Sequence, residues 1–136
     1  MNRMTHYKEL QIVGLNNMRA DSDSFDIHAG SDSCTVEKVM QSLESDPGRP
    51  LLVLHHRPEG IPYMAEAGTD LLLTGHTHAG QMFPFTLIAK WMFGYNKGLY
   101  RYSDMQIYVS PGLGTFFSPI RFGTHSEITL LRLVPA

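Results

Sequence analysis

The chain has 136 residues, 43% of them hydrophobic and 18% charged, with a formal net charge of −2. That length leaves room for one domain and not two, and the composition is that of a soluble globular protein. The near-neutral balance gives no reason to expect nucleic acid as a partner. Charge is unevenly spread, at −4 over residues 1–48 and +2 over residues 49–136, and the mildly basic part holds most of the histidines, which suits an anionic ligand. The single Cys34 excludes an internal disulfide and fits a reducing, cytoplasmic compartment. Residues 1–20 carry no signal-peptide core, because Lys8, Glu9 and Gln11 interrupt it. No run reaches the ~18 apolar residues of a bilayer span.

In chain order, Glu9–Leu15 is predicted as a short buried strand, followed by a Ser- and Asp-rich loop over Asp21–Asp32. A helix is predicted from about Ser33 or Thr35 to Ser45. Val36, Val39, Met40 and Leu43 fall on one face of a 3.6-residue period, Asp32 or Ser33 is placed to cap it, and Pro47-Gly48 stops it. The run Pro50–His55 reads as a strand buried on both faces, Ile61–Ala67 as a short helix ended by Gly68, and Asp70–Thr74 as a second doubly buried strand. This alternation predicts an α/β architecture with crossover connections. Met82–Phe93, interrupted by Pro84 and Lys90, is expected to be a buried or surface-lying segment. The last third changes character, with a hairpin of Gly98–Tyr102 and Gln106–Ser110 around Ser103-Asp104, and a terminal strand at Glu127–Val134.

Both doubly buried strands end in histidines, His55-His56 after the first and Gly75-His76-Thr77-His78 after the second. Ligand sites of open α/β sheets lie beyond the carboxyl ends of the strands. A lone histidine there is ordinarily a hydrogen-bonded residue, but two pairs on neighbouring strands favour metal binding. In extended backbone His76 and His78 point the same way with Cα atoms about 6.5 Å apart. Such a pair can share one metal ion or serve two ions about 3.5–4 Å apart. Gly75 removes a side chain where the chain must turn and a ligand approach. Cys34, near a helix start and without a partner cysteine, reads as structural. The apolar stretch after the histidines, including Trp91, reads as core, or as a lid or membrane-facing surface beside the site.

Gly75-His76-Thr77-His78-Ala79-Gly80-Gln81, preceded by His56-x-Pro58 and followed by Val109–Gly114, Ile120-Arg-Phe122 and Glu127-Ile128, resembles the later motifs of calcineurin-like metallophosphoesterases. The resemblance covers nearly the whole chain and is to a bacterial subfamily with a small residue, Gly and Gln after the second histidine. It implies the C-terminal half of a metallophosphoesterase-type α/β sandwich, one incomplete domain over residues 1–136, and a phosphoester substrate. By position, His56 and His76 would ligate a second metal and His78 a first, the ions being divalent, such as Mn, Fe or Zn. His55 would only pack. Gly75 and Gly112 would lie near the substrate, Pro111 stands where the family often has Arg, and Glu127 would be structural.

The family's earlier Asp-x-His, Gly-Asp-x-x-Asp and Gly-Asn-His motifs do not occur here. Asp26-Ile27-His28 imitates the first, but it lies in a polar loop out of family order and reads as coincidence. With the bridging Asp and the general-acid His absent, no catalytic residue is assigned. The resemblance therefore implies the second half of a phosphoesterase catalytic domain. The alternative is a truncated or split-gene product without activity of its own, binding at most one metal or acting with a complementary N-terminal half. A membrane-proximal or lipid-linked substrate would suit the apolar stretch. Rival metallohydrolases fit worse, because Gly80 stands where a metallo-β-lactamase needs Asp and a histidine-triad hydrolase needs a third His.

Overall fold

A computed structural model describes residues 2–24 and 34–134. Its centre is a six-stranded mixed sheet made of β1 (Arg3–Tyr7), β2 (Leu10–Gly14), β3 (Leu51–Leu54), β4 (Leu71–Thr74), β5 (Gly98–Tyr102) and β6 (Met105–Val109). The order across the sheet is β1-β2-β3-β4-β6-β5. The four inner strands run parallel, and β1 and β5 pair antiparallel at the two edges. Helix α1 (Val36–Gln41) connects β2 to β3, and α2 (Ile61–Glu66) connects β3 to β4. The α/β order predicted from the sequence is the order observed.

The parallel register sets Val13, Val53, Leu72 and Ile107 in one row across the sheet. None of the four is more than 1% exposed, and they pack with Val36 and Met40 of α1 and Ile61 and Met64 of α2. Each such side chain withdrawn from water contributes about 1.5–3 kcal/mol before the entropy of ordering is set against it. The two helices also pack on each other. Gly60, just before α2, has φ +71, and a Cβ there would stand 2.7 Å from Val36 Cγ1, so a glycine lets α2 close onto α1.

The opposite face is different. Its row of Gly14, Leu54, Leu73 and Tyr108 has no helix over it among the described residues. Leu54 is 41% exposed, and Leu99 of β5, aligned with Tyr108, is also exposed. The apolar character of β3 and β4 on both sides is real, but among the described residues only one face is covered by helices.

Three expectations about elements need correction. The cap of α1 is Thr35, whose hydroxyl accepts from Lys38 N at 3.3 Å. Asp32 and Ser33, expected in that role, lie outside the described residues, as does Asp26-Ile27-His28. The helix stops at Gln41 and not Ser45. Glu127–Val134 forms no ladder: its sequence alternates only in part, and every residue of it after Glu127 is exposed. The segment is held instead at Glu127, whose N–H donates to Gly112 O at 3.2 Å. Its carboxylate accepts from Tyr108 and Thr129 and pairs with Lys97 at 3.4 Å. Those two hydroxyls, aided by Lys97 and opposed by burial, hold the Glu127 carboxyl below its ordinary range. The structural role expected of Glu127 is the one observed.

Strand β1 was not foreseen, since Arg3–Tyr7 is polar and largely exposed, as an edge strand tolerates. A second device missed in the sequence is Gln11, which is 1% exposed. Its amide donates to Asp46 O at 2.9 Å and Arg49 O at 3.1 Å and accepts from Asp46 N at 2.8 Å, tying β2 to the turn that feeds β3. Gln11→Leu keeps the volume but strands those three backbone groups. We expect urea denaturation to show a loss of about 2–3 kcal/mol. A change within a few tenths would mean that the turn does not depend on Gln11.

Candidate metal centre

Strands β3 and β4 lie side by side and parallel, so the segments leaving their carboxyl ends meet. The ladder continues past the strands. His55 N–H donates to Leu73 O at 3.1 Å, Gly75 N–H to His56 O at 3.1 Å, and the Thr74 hydroxyl to the same oxygen at 3.2 Å. These bonds bring the two rings together, with His76 Nδ1 3.1 Å from His56 Nε2 and ring centroids 4.9 Å apart, edge to face. One imidazole donates to the other as they stand.

The backbone at the second pair is not extended, contrary to the expectation that His76 and His78 project in parallel. His76 has φ 69, Thr77 is right-handed helical, and His78 (φ 47) opens a short 3-10 turn over His78–Gly80. Ala79 and Gln81 also have positive φ, so four non-glycine residues within six adopt the left-handed region. That costs of order 1–3 kcal/mol apiece and persists only where the surroundings impose it, as binding sites often do. Gly75 does not make the turn: a Cβ there would meet nothing closer than Ser110 O at 3.5 Å. The glycine that matters is Gly80. Its φ is +77, and a Cβ would fall 2.5 Å from Thr86 Cα. Its missing side chain lets helix α3 (Phe85–Phe93) dock against the histidine turn.

The tight turn separates the histidines. His56 and His76 form a pair, whereas His78 faces Arg121, with its Nδ1 3.5 Å from Arg121 Nη2. Among the described residues no group of three or more His, Cys, Asp or Glu is arranged to hold a metal ion. Burial and the Arg121 guanidinium, with a smaller push from His56, hold the His78 pKa below its ordinary 6.5, against a backbone contact from Gly114. His55 turns towards the helix-covered face and is 3% exposed. Burial, then the charges of His56 and Arg57, press its pKa down to about 4 against the Asn16 backbone. It is a neutral packing residue, as expected.

Two imidazole nitrogens bound at ~2.1 Å in a tetrahedral site stand about 3.4 Å apart, and the observed 3.1 Å is within a few tenths of that. The separation of these two nitrogens is therefore compatible with adjacent ligands of one ion. A dinuclear centre does not fit the described residues, because no carboxylate joins the pair.

Three residues carry the site without having been assigned a role from sequence. Thr77 is buried and its hydroxyl donates to Asn96 O at 2.6 Å, anchoring the turn. The buried Gln81 amide donates to Ser118 O at 2.8 Å and Ile120 O at 3.0 Å and accepts from Phe116 N–H. Arg121 lies at the junction. Its guanidinium donates to the carbonyls of Pro111 at 2.8 Å, Gly112 at 3.2 Å and Gly114, and to His78 O at 3.4 Å. Among the described residues no carboxylate pairs with it, so a positive charge stands beside His78. All three belong to the sequence strings that carry the family resemblance; contacts across 7 to 43 residues reveal what they do.

Arg121→Ala should free the 111–114 loop at a cost of about 2–3 kcal/mol, read by urea denaturation and by faster proteolytic cutting between residues 112 and 122. Arg121→Lys keeps the charge but not the planar fork, and should recover less than half of that loss. Full recovery with Lys would show that charge alone matters.

No family model matches the chain, and no solved structure matches it. Curated relatives do. It is 48% identical over 102 residues to an uncharacterized metallophosphoesterase of Helicobacter pylori strain J99, covering 74% of this chain and 27% of that protein. It is 38% identical over 104 residues to a transmembrane protein with metallophosphoesterase domain from Danio rerio, covering 74% and 23%. It is 33% identical over 96 residues to the phosphodiesterase YaeI of Escherichia coli, covering 66% and 34%. The chain thus spans about a quarter to a third of the length of these relatives. With the α/β sheet and its histidine edge, these likenesses establish that the chain belongs to the metallophosphoesterase family.

Proposed function

We propose that this chain is the histidine-bearing part of a metal-dependent phosphoester hydrolase, in which His56 and His76 hold one divalent ion. The observation that carries this reading is the 3.1 Å approach of His56 Nε2 to His76 Nδ1 at the ends of adjacent parallel strands. A bound divalent ion in such a site polarises a phosphoryl oxygen and lowers the pKa of a coordinated water. His78, whose pKa burial and Arg121 hold below its ordinary value, would serve as a further ligand once its ring leaves that contact. Arg121 presents positive charge to an anionic ester, and Gly75 and Gly112 leave backbone bare for the substrate to approach. The domain reading is of one metallophosphoesterase domain of which residues 1–136 are a part. The substrate class we favour is a membrane-proximal or lipid-linked phosphoester.

A second reading has its own support. No carboxylate joins the histidine pair among the described residues, and Leu54 and Leu99 on the sheet's other face are exposed. Both fit a chain that binds one metal alone and hydrolyses esters only with a complementary segment bearing the carboxylates.

Calorimetric titration of the 136-residue protein with manganese or zinc should give one ion per chain. His56→Ala and His76→Ala should each weaken it at least tenfold, while His55→Leu leaves it unchanged. Turnover of bis-p-nitrophenyl phosphate should stay at background and rise when a chain carrying Asp-x-His, Gly-Asp-x-x-Asp and Gly-Asn-His segments is added. Two tightly bound ions with turnover in the chain alone would overturn the one-metal account, and retention of metal in both alanine variants would overturn the ligand assignment.

A further inference from the structure

We propose that Arg121 competes with the metal ion for the third histidine, His78, and so holds the metal affinity of the site down. The inference rests on the reading above, in which His56 and His76 hold one ion, and adds a positioning residue to that site. Among the described residues no third His, Cys, Asp or Glu joins that pair as it stands. Three protein ligands are usual at a catalytic zinc ion, so His78 is the residue whose release would complete such a set.

The competition follows from the inventory of donors and acceptors. A neutral imidazole has one nitrogen that carries a proton and one that offers a lone pair, whereas a guanidinium only donates. Arg121 Nη2 stands 3.5 Å from His78 Nδ1. A ring facing that donor turns its lone pair to it and keeps its proton on Nε2. Neither nitrogen is then open to an ion, wherever the ion sits. At 3.5 Å the contact is near the outer limit of a hydrogen bond, so its effect is a several-fold change in affinity and not a block.

Both partners are fixed in place. The guanidinium is held on the carbonyls of Pro111, Gly112 and Gly114 and on His78 O. The backbone on either side of Arg121 is pinned to Gln81, whose amide donates to Ile120 O at 3.0 Å. Gln81 O in turn accepts from Phe122 N–H and from the Thr124 hydroxyl, each at 3.0 Å. Beside His78, Thr77 is tied to Asn96 O and Gly80 lies tight against Thr86. Release of His78 is therefore a rotation of its ring away from a guanidinium that cannot follow.

Nitrogen-15 NMR of the whole protein with labelled histidine, free of metal and at neutral pH, reads the tautomer. We expect His78, assigned by its loss in His78→Ala, to carry its proton on Nε2. A ring protonated on Nδ1, donating to the Gly114 backbone that it also meets, would overturn the proposal. Zinc calorimetry reads the consequence. Arg121→Lys keeps the cation without the planar fork, and Arg121→Gln removes both. Each should bind zinc about fivefold or more tightly than the unaltered chain, and adding His78→Ala should cut that gain below about twofold. An equal gain without His78 would show only the loss of a repelling charge, and unchanged or weaker binding in both variants would show that His78 is not held back; either overturns the proposal. The tautomer measurement needs no change at Arg121, so it decides even where those variants do not fold. Zinc retained in both His56→Ala and His76→Ala would remove the two-histidine reading and the proposal with it, whereas failure of the Arg121 variants alone leaves that reading intact.

Discussion

The register of β3 against β4 is the constraint from which the histidine site follows. Leu52, Val53 and Leu54 lie opposite Leu71, Leu72 and Leu73, and the pairing runs on until Gly75 N–H and the Thr74 hydroxyl both reach His56 O. Strand side chains alternate with a period of two, so a slip of one residue would turn His55 outward and bury His56. Helices α1 and α2 prevent the slip. They cover the face that carries Val53 and Leu72, and a shifted register would put polar groups and Leu54 under them. The approach of His56 to His76 is thus a consequence of core packing, and His55, buried and neutral, belongs to the packing side of the same strand end.

Beyond the strands, control passes to long-range polar contacts. Gly80 lets α3 approach, Gln81 organises residues 116–120, and Arg121 gathers the carbonyls of the 111–114 loop around His78. The strained run from His76 to Gln81 is sustained by these contacts and by Thr77 on Asn96. The surroundings here set a backbone that the local sequence would not adopt alone, which is the usual condition for a positive-φ histidine.

Much of this was legible in the sequence, for identifiable reasons. Continuous apolar runs marked β3 and β4, periodicity marked α1, and their order implied crossovers that bring His56 beside His76. The expectation failed where local pattern and tertiary need diverge. An extended His76-Thr77-His78 was assumed because strands precede it, yet the docking of α3 demands a turn. Glu127–Val134 alternates in part like a strand, but it pairs with neither edge strand, β1 or β5, and is tied instead through Glu127. Arg3–Tyr7 was passed over because edge strands carry little apolar signal. Arg121 stood within a recognised string, but its bond to His78 spans 43 residues and no local pattern encodes it.

The claim on which the account rests is that His56 and His76 are ligands to one ion. X-ray absorption at the zinc edge of the metal-loaded protein tests it directly. Two or more imidazole nitrogens at about 2.0–2.1 Å are predicted, with the outer-shell histidine scattering reduced in His56→Ala and in His76→Ala and intact in His55→Leu. A first shell of water oxygens alone, or a spectrum unaltered by either alanine substitution, would contradict it.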